Sequence, residues 1–207
     1  MKILIGCEES AKVRDAFRLI GHDAYSNDIL GTRGDSAWHI TGDVFDAIRK
    51  RGPWDMAIFF PPCTYVTRAG QRWINAPDSS TPPLKGRPRL VAQRKALEFM
   101  RDLLECGIPK IAMENPRGAF STYWRKPDQV IHPHMFGHPE FKATCLWLVN
   151  LPPLRPTNQL VTPERGTDEW VTWNRVHRMP PGADRARDRS ETYQGIADAM
   201  ADQWGTL

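Results

Sequence analysis

Apolar and polar positions alternate between two rhythms along the chain. Ile3-Leu4-Ile5 is a short continuous apolar run closed by Gly6, which predicts a buried strand. Val13, Ala16, Phe17 and Ile20 then follow at helical spacing, and Gly21 ends that helix as a C-terminal cap. Residues 24–28 predict a second short strand ending in an acid. Residues 31–42 are polar and read as loop, and 43–50 predict a short helix on Val44, Phe45 and Ile48. Residues 56–60 predict a third buried strand, stopped by Pro61-Pro62. Residues 64–89 are rich in Pro, Gly, Ser and Arg and predict a long mobile loop. A helix is expected over 90–106, with Leu90, Leu97, Met100 and Leu104 on one face and Gly107 and Pro109 ending it. Residues 110–113 predict a fourth strand running into Glu114-Asn115-Pro116, and 144–149 a fifth. Residues 151–189 are Pro- and Arg-rich with weak periodicity. A closing helix over 190–204 packs Ile196, Ala199, Met200 and Trp204.

Short buried strands alternating with helices predict an α/β fold: a Rossmann-like, doubly wound, mostly parallel sheet with helices on both faces. The 207 residues suit one domain, with 64–89 as an active-site loop and 151–189 as an insertion. In such sheets ligands collect beyond the carboxyl ends of the strands. Those ends carry Gly6-Cys7-Glu8-Glu9, Asp28, Pro61-Pro62-Cys63 and Glu114-Asn115-Pro116.

Composition narrows the setting. An apolar fraction of 41% supplies a core, and no apolar run approaches the roughly 18 residues of a membrane span. The first residues lack a signal-peptide pattern, and the four cysteines stand far apart in or beside apolar segments, as reduced thiols do. A cytoplasmic protein without membrane contact is expected. A net charge of +4 and a pI near 9.0 permit a phosphate-bearing partner without requiring one. Basic residues cluster at Lys85, Arg87, Arg89, Arg94 and Lys95, and again at Arg175, Arg178, Arg185, Arg187 and Arg189.

Cys63 is the most informative residue. Two prolines fix the backbone before it and hold its sulfur at a strand end, the kind of site a nucleophilic thiol needs. The bland alternative is a small buried hydrophobe. Glu114 stands at the next strand end, and a carboxyl group beside a thiol can bind and protonate a ring nitrogen while sulfur adds to a ring carbon. Otherwise Glu114 caps nearby amides, and Asp28 and Asp43 are ordinary turn acids. His132, His134, His138 and Cys145 match no common zinc spacing, so no metal is expected. Trp73, in the loop, is the better candidate for stacking on a base, ahead of Tyr65, Trp170 and Trp173, and Trp147 reads as core.

Phe60-Pro61-Pro62-Cys63 and Glu114-Asn115 together resemble motifs of the cytosine C5 methyltransferases, and the chain is most similar to small phage-encoded members. The resemblance implies Cys63 as nucleophile and Glu114 as the partner of ring N3. Tyr25-Ser26-Asn27-Asp28 resembles the acidic position that holds the ribose of S-adenosylmethionine, and Gly42-Asp43 the position that contacts its adenine. Gly6 and Glu9 would line the methionine end, with Phe60 and Pro61 beside the cofactor. Pro62, Thr64, Arg68, Asn115, Lys142 and Thr144 would meet the substrate. Gly195-Ile196-Ala197 sits where the family has its closing Gly-Asn. The chain departs from the pattern in its cofactor loop, Gly6-Cys7-Glu8-Glu9-Ser10, which has one glycine, and in Thr64, where the family has Gln. Family members that read a DNA sequence carry a separate recognition domain before the closing helix. The interval 151–189 is too short for one. Two substrates remain: a free deoxycytidine nucleotide, favoured by the modest basicity, or DNA read with little or no sequence preference. A catalytically silent nucleic-acid-binding relative and a cysteine hydrolase are the rival readings, the latter without an obvious His partner.

Overall fold

The computed structural model describes residues 1–180 and 189–207. Among them lies a seven-stranded sheet: β1 (Lys2–Gly6), β2 (Asp23–Asp28), β3 (His39–Thr41), β4 (Met56–Phe59), β5 (Lys110–Pro116), β6 (Gln129–Ile131) and β7 (Thr144–Val149). The order across it is β3-β2-β1-β4-β5-β7-β6. The first five strands are parallel, and β7 runs antiparallel to both neighbours. The strand order reverses between β1 and β4, the kind of switch point at which open α/β sheets form a ligand crevice.

The strands are buried on both faces, so their side chains divide by parity. Ile3, Ile5, Met56, Ile58, Leu146 and Leu148 pack under α1 (Lys12–Leu19) and the C-terminal helix Gln194–Trp204. Leu4, Ala57, Phe59, Met113 and Trp147 pack under α2 (Val44–Arg51) and α3 (Gly86–Leu104). This is the α/β sandwich of helices on a mostly parallel sheet that the pattern predicts.

The differences fall at short or polar segments. The stretch read as loop over 31–42 contains the three-residue β3, and β6 was not anticipated at all. Both are edge strands, too short for a period of two to register. Helix α3 starts at Gly86, before the expected position, because Pro88 is tolerated in a first turn. The C-terminal helix starts at Gln194, not 190. The described part of 151–189 forms two short helices, Asp168–Trp173 and Arg175–Arg178, which bury Trp173 and Val176. Arg185 and Arg187 lie outside the described residues.

The β1–α1 connection is built around a buried acid. Glu8 accepts from the amides of Val13 (2.8 Å) and Arg14 (3.4 Å) and from the Ser10 hydroxyl (3.0 Å), so it caps α1 from inside the loop. Arg14, fully buried, donates to the Ser26 hydroxyl and the Asp35 carbonyl. Burial outweighs the donors around Glu8 and pushes its carboxyl up to about 7, against an ordinary 4.5. The folded state therefore holds a proton there that the unfolded chain releases near 4.5. Stability from this group is complete below 4.5 and is lost as the pH rises through about 7. Glu8→Gln keeps the accepting oxygen and removes the titration. Unfolding midpoints measured from pH 5 to 8 are expected to fall more steeply for the native chain than for the variant; equal slopes would contradict the protonated cap.

Candidate functional site

Strand β4 ends at Pro61-Pro62, and neither proline has an N–H to continue a ladder. The last β4–β5 pair is Phe59 with Met113. Two residues further along each strand, buried Asn115 donates its Nδ2 to the Pro61 carbonyl at 2.8 Å. A side-chain amide thus ties the two strand ends together where backbone pairing has stopped. It holds the segment carrying Cys63 against the end of β5.

Directly after Cys63 the chain turns tightly, its carbonyl accepting from the amides of Val66 (3.1 Å) and Thr67 (3.2 Å). Arg89, buried at the start of α3, donates to the Thr64 carbonyl (3.0 Å), and Gln93 donates to that of Tyr65 (2.8 Å). On the other side the Ala119 amide donates to Val66 (2.8 Å), and a Cβ on Gly118 would sit 2.0 Å from that carbonyl. Residues Arg68–Trp73 then form a 3-10 helix. The first part of the expected mobile loop is therefore anchored on two sides. Composition alone gave no sign of the donors, which come from helix residues 89 and 93.

Glu114 faces the opposite side of β5 from Asn115. With Phe60, Lys142 and Thr144 it lines a small pocket closed by Tyr193 and Ile196 of the C-terminal segment. Because β7 is antiparallel, its beginning lies at the carboxyl edge of the sheet. That is how Lys142 and Thr144 reach Glu114. Burial raises the Glu114 carboxyl above its usual range, with the Lys142 charge and the Thr144 hydroxyl pulling the other way. Burial also raises the Cys63 thiol, and the Glu114 charge adds to it, while Lys142 and Arg189 act to lower it. Thiol and carboxyl are thus within electrostatic reach of one another. Pro62 and Thr64, on either side of Cys63, are exposed. Two residues assigned to the substrate stand elsewhere. Asn115 is spent on Pro61, and Arg68 lines a separate cleft on the α3 side of the sheet.

The ends of β1, β2 and β3 bring together Cys7, Asp28 and Asp43. The two acids, after burial itself, push the Cys7 thiol up to about 12. Asp28 accepts from the Leu30 amide at 2.9 Å, and Asp43 caps α2 through one oxygen, on Phe45 and Asp46. Gly6 is required by packing, since a Cβ there would lie 2.6 Å from Phe59. Glu9 is held by Arg33 at 3.1 Å. Lys12 and Arg33 both meet Glu191, and Lys142 donates to the Glu191 carbonyl (3.2 Å), so the segment before the C-terminal helix is strapped across the edge. Glu191 and Tyr193 carry no sequence signal for this site, and Arg189 enters the sequence reading only as a member of the second basic cluster.

Among the described residues no group of three His, Cys, Asp or Glu is placed to hold a metal. His132 stacks on His134, His138 accepts the Gly195 amide (3.0 Å), and Cys145 is buried under the α3 face. A Cβ on Gly195 would meet the Phe136 carbonyl at 2.1 Å, so close backbone approach requires glycine there. Trp73 is half-buried with Lys85 and Arg72 over its ring, and Trp173 is core. No described helix is long and apolar enough to cross a membrane.

The electrostatic pairing has a measurable sign. Glu114→Gln removes a charge that raises the Cys63 thiol, and Lys142→Ala removes one that lowers it. Alkylation of Cys63 by iodoacetamide, followed against pH, is expected to shift to lower pH in the first variant and to higher pH in the second. No protein-family model and no curated protein sequence matches this chain.

Proposed function

We propose that this chain methylates carbon 5 of cytosine, on a free deoxycytidine nucleotide or on DNA, with Cys63 as nucleophile. The observation that carries the reading is the coupling of the Cys63 thiol to a buried Glu114 carboxyl across neighbouring strand ends. The seven-stranded, mostly parallel sheet is compatible with the Rossmann-like frame that the resemblance implies.

Carbon 5 of cytosine is a poor nucleophile until sulfur adds to carbon 6. The raised thiol pKa means that Cys63 must give up its proton as the base arrives, with the Lys142 and Arg189 charges favouring the thiolate. Glu114, whose protonated form burial favours, donates to ring N3 and stabilises the charge that develops there. Phe60 and Tyr193 wall the pocket. Loss of the carbon 5 proton, with departure of the sulfur, frees the enzyme.

S-adenosylmethionine supplies the electrophilic methyl group when bound. The acids beside Cys7 fit its adenosine half, Asp28 toward the ribose hydroxyls and Asp43 toward the adenine amine. The first amides of α1, which would otherwise suit a carboxylate, are filled by Glu8. The short described helices of 168–178 offer no packed recognition domain, which favours the free nucleotide over sequence-read DNA.

Mass spectrometry of dCMP and of unmethylated duplex, each incubated with enzyme and S-adenosylmethionine, tests this reading. Methyl transfer to dCMP is expected. Product in the duplex alone, falling steeply with salt, would assign DNA instead, and no product with either would leave a silent nucleic-acid binder. Cys63→Ala is expected to abolish turnover and leave cofactor affinity nearly unchanged. Asp28→Ala is expected to weaken cofactor binding by about 1–3 kcal/mol in a calorimetric titration, the cost of leaving hydroxyl donors without an acceptor.

A further inference from the structure

A cleft of about 760 Å³ opens on the α3 side of the sheet and plays no part in the proposed chemistry. It shares no lining residue with the Glu114 pocket, since Glu114 and Asn115 point to opposite faces of β5. Its floor is apolar, made by Leu97 of α3, Ala119, Val130 of β6 and Cys145 of β7. Its mouth carries two guanidiniums, Arg68 and Arg117, with the Ser121 and Thr122 hydroxyls between α3 and the sheet edge, and no carboxylate lines it.

Three features mark these donors as uncommitted. Neither guanidinium has a hydrogen bond or an ion pair with another described residue. The Nε2 of Gln71, in the same wall, is buried without an acceptor. The Arg117 charge also reaches over the floor, acting on the buried Cys145 thiol. The buried Gln71 amide is costly while it lacks an acceptor, and the two exposed guanidiniums beside it can share an oxyanion with it.

We infer that this cleft binds a phosphate monoester carrying a flat apolar group, the chemistry of an aryl or nucleoside monophosphate. Two guanidiniums, an amide and two hydroxyls are matched by the oxygens of a dianion, and the apolar floor by a ring. The volume suits one small molecule. The Arg68 amide donates to the Arg117 carbonyl (3.3 Å), so an anion between the two side chains would clamp the segment after Cys63 to the end of β5. The inference stands independently of the methyl-transfer reading.

Phenyl phosphate is the test probe, because it presents a ring and a phosphate with neither cytosine nor adenosine. Calorimetric titration of the full chain, with amide chemical shifts followed in parallel, is expected to show saturable binding and shifts at Ala119, Thr122 and Val130. Inorganic phosphate should compete, and phenol should bind at least about tenfold more weakly. The double variant Arg68→Ala, Arg117→Ala should lose about tenfold in affinity or more, with an unchanged unfolding midpoint because neither side chain has a hydrogen-bond or ion-pair partner among the described residues. If that pair fails to fold, Arg117→Gln alone must still weaken binding. Shifts confined to the Glu114 pocket, equal affinity for phenol, or full affinity in the folded variants would overturn the inference.

Discussion

The geometry of the carboxyl edge depends on how a strand that ends in two prolines is kept in register. Backbone pairing between β4 and β5 stops at Phe59 and Met113; the Phe60 amide donates to the Gly6 carbonyl of β1, and the two prolines after it cannot donate. The Asn115 side chain bridges the gap to Pro61 from within the sheet, in a buried site where its bond is not exchanged for water. Residues on adjacent positions of β5 then divide the labour. Asn115 points to the α3 face and fixes the Cys63 segment; Glu114 points to the other face and meets the pocket.

That pocket is completed by a reversal of direction. A parallel β7 would put Val149 at the carboxyl edge. The antiparallel strand puts Lys142 and Thr144 there, beside a carboxyl that burial holds toward its neutral form. The Glu114 charge disfavours the Cys63 thiolate, and Lys142 favours the charged form of both groups. Such a pair suits chemistry in which the carboxyl donates a hydrogen bond while the thiol gives up its proton.

At β1 the chain solves a different problem with few glycines. Cys7 and Ala11 adopt left-handed backbone with φ of 59° and 65°, conformations that cost a side-chain-bearing residue on the order of 1 kcal/mol each. The surrounding bonds hold them there. Glu8 takes the α1 amides, and the Glu9 carbonyl accepts from Arg33. The loop therefore keeps a tight strand-to-helix turn while filling its own anion position with a carboxylate.

The sequence by itself determined the alternation of five strands and the main helices, because continuous apolar runs and 3.6-residue spacing are local signals. It also determined which residues end those strands, and so placed Cys63, Glu114 and Asp28 on one edge. Tertiary structure decided what local signals do not carry. The three-residue edge strands β3 and β6 are specified by their neighbours, and the direction of β7 by the path around 132–143. The partners of Arg89 and Asn115 lie 25 and 54 residues away, so no local spacing predicts them. Arg68 shows the same limit. Five positions after Cys63, it was read as facing the same substrate, yet the turn at Cys63 and the bond to Arg117 carry it to the other face of the sheet.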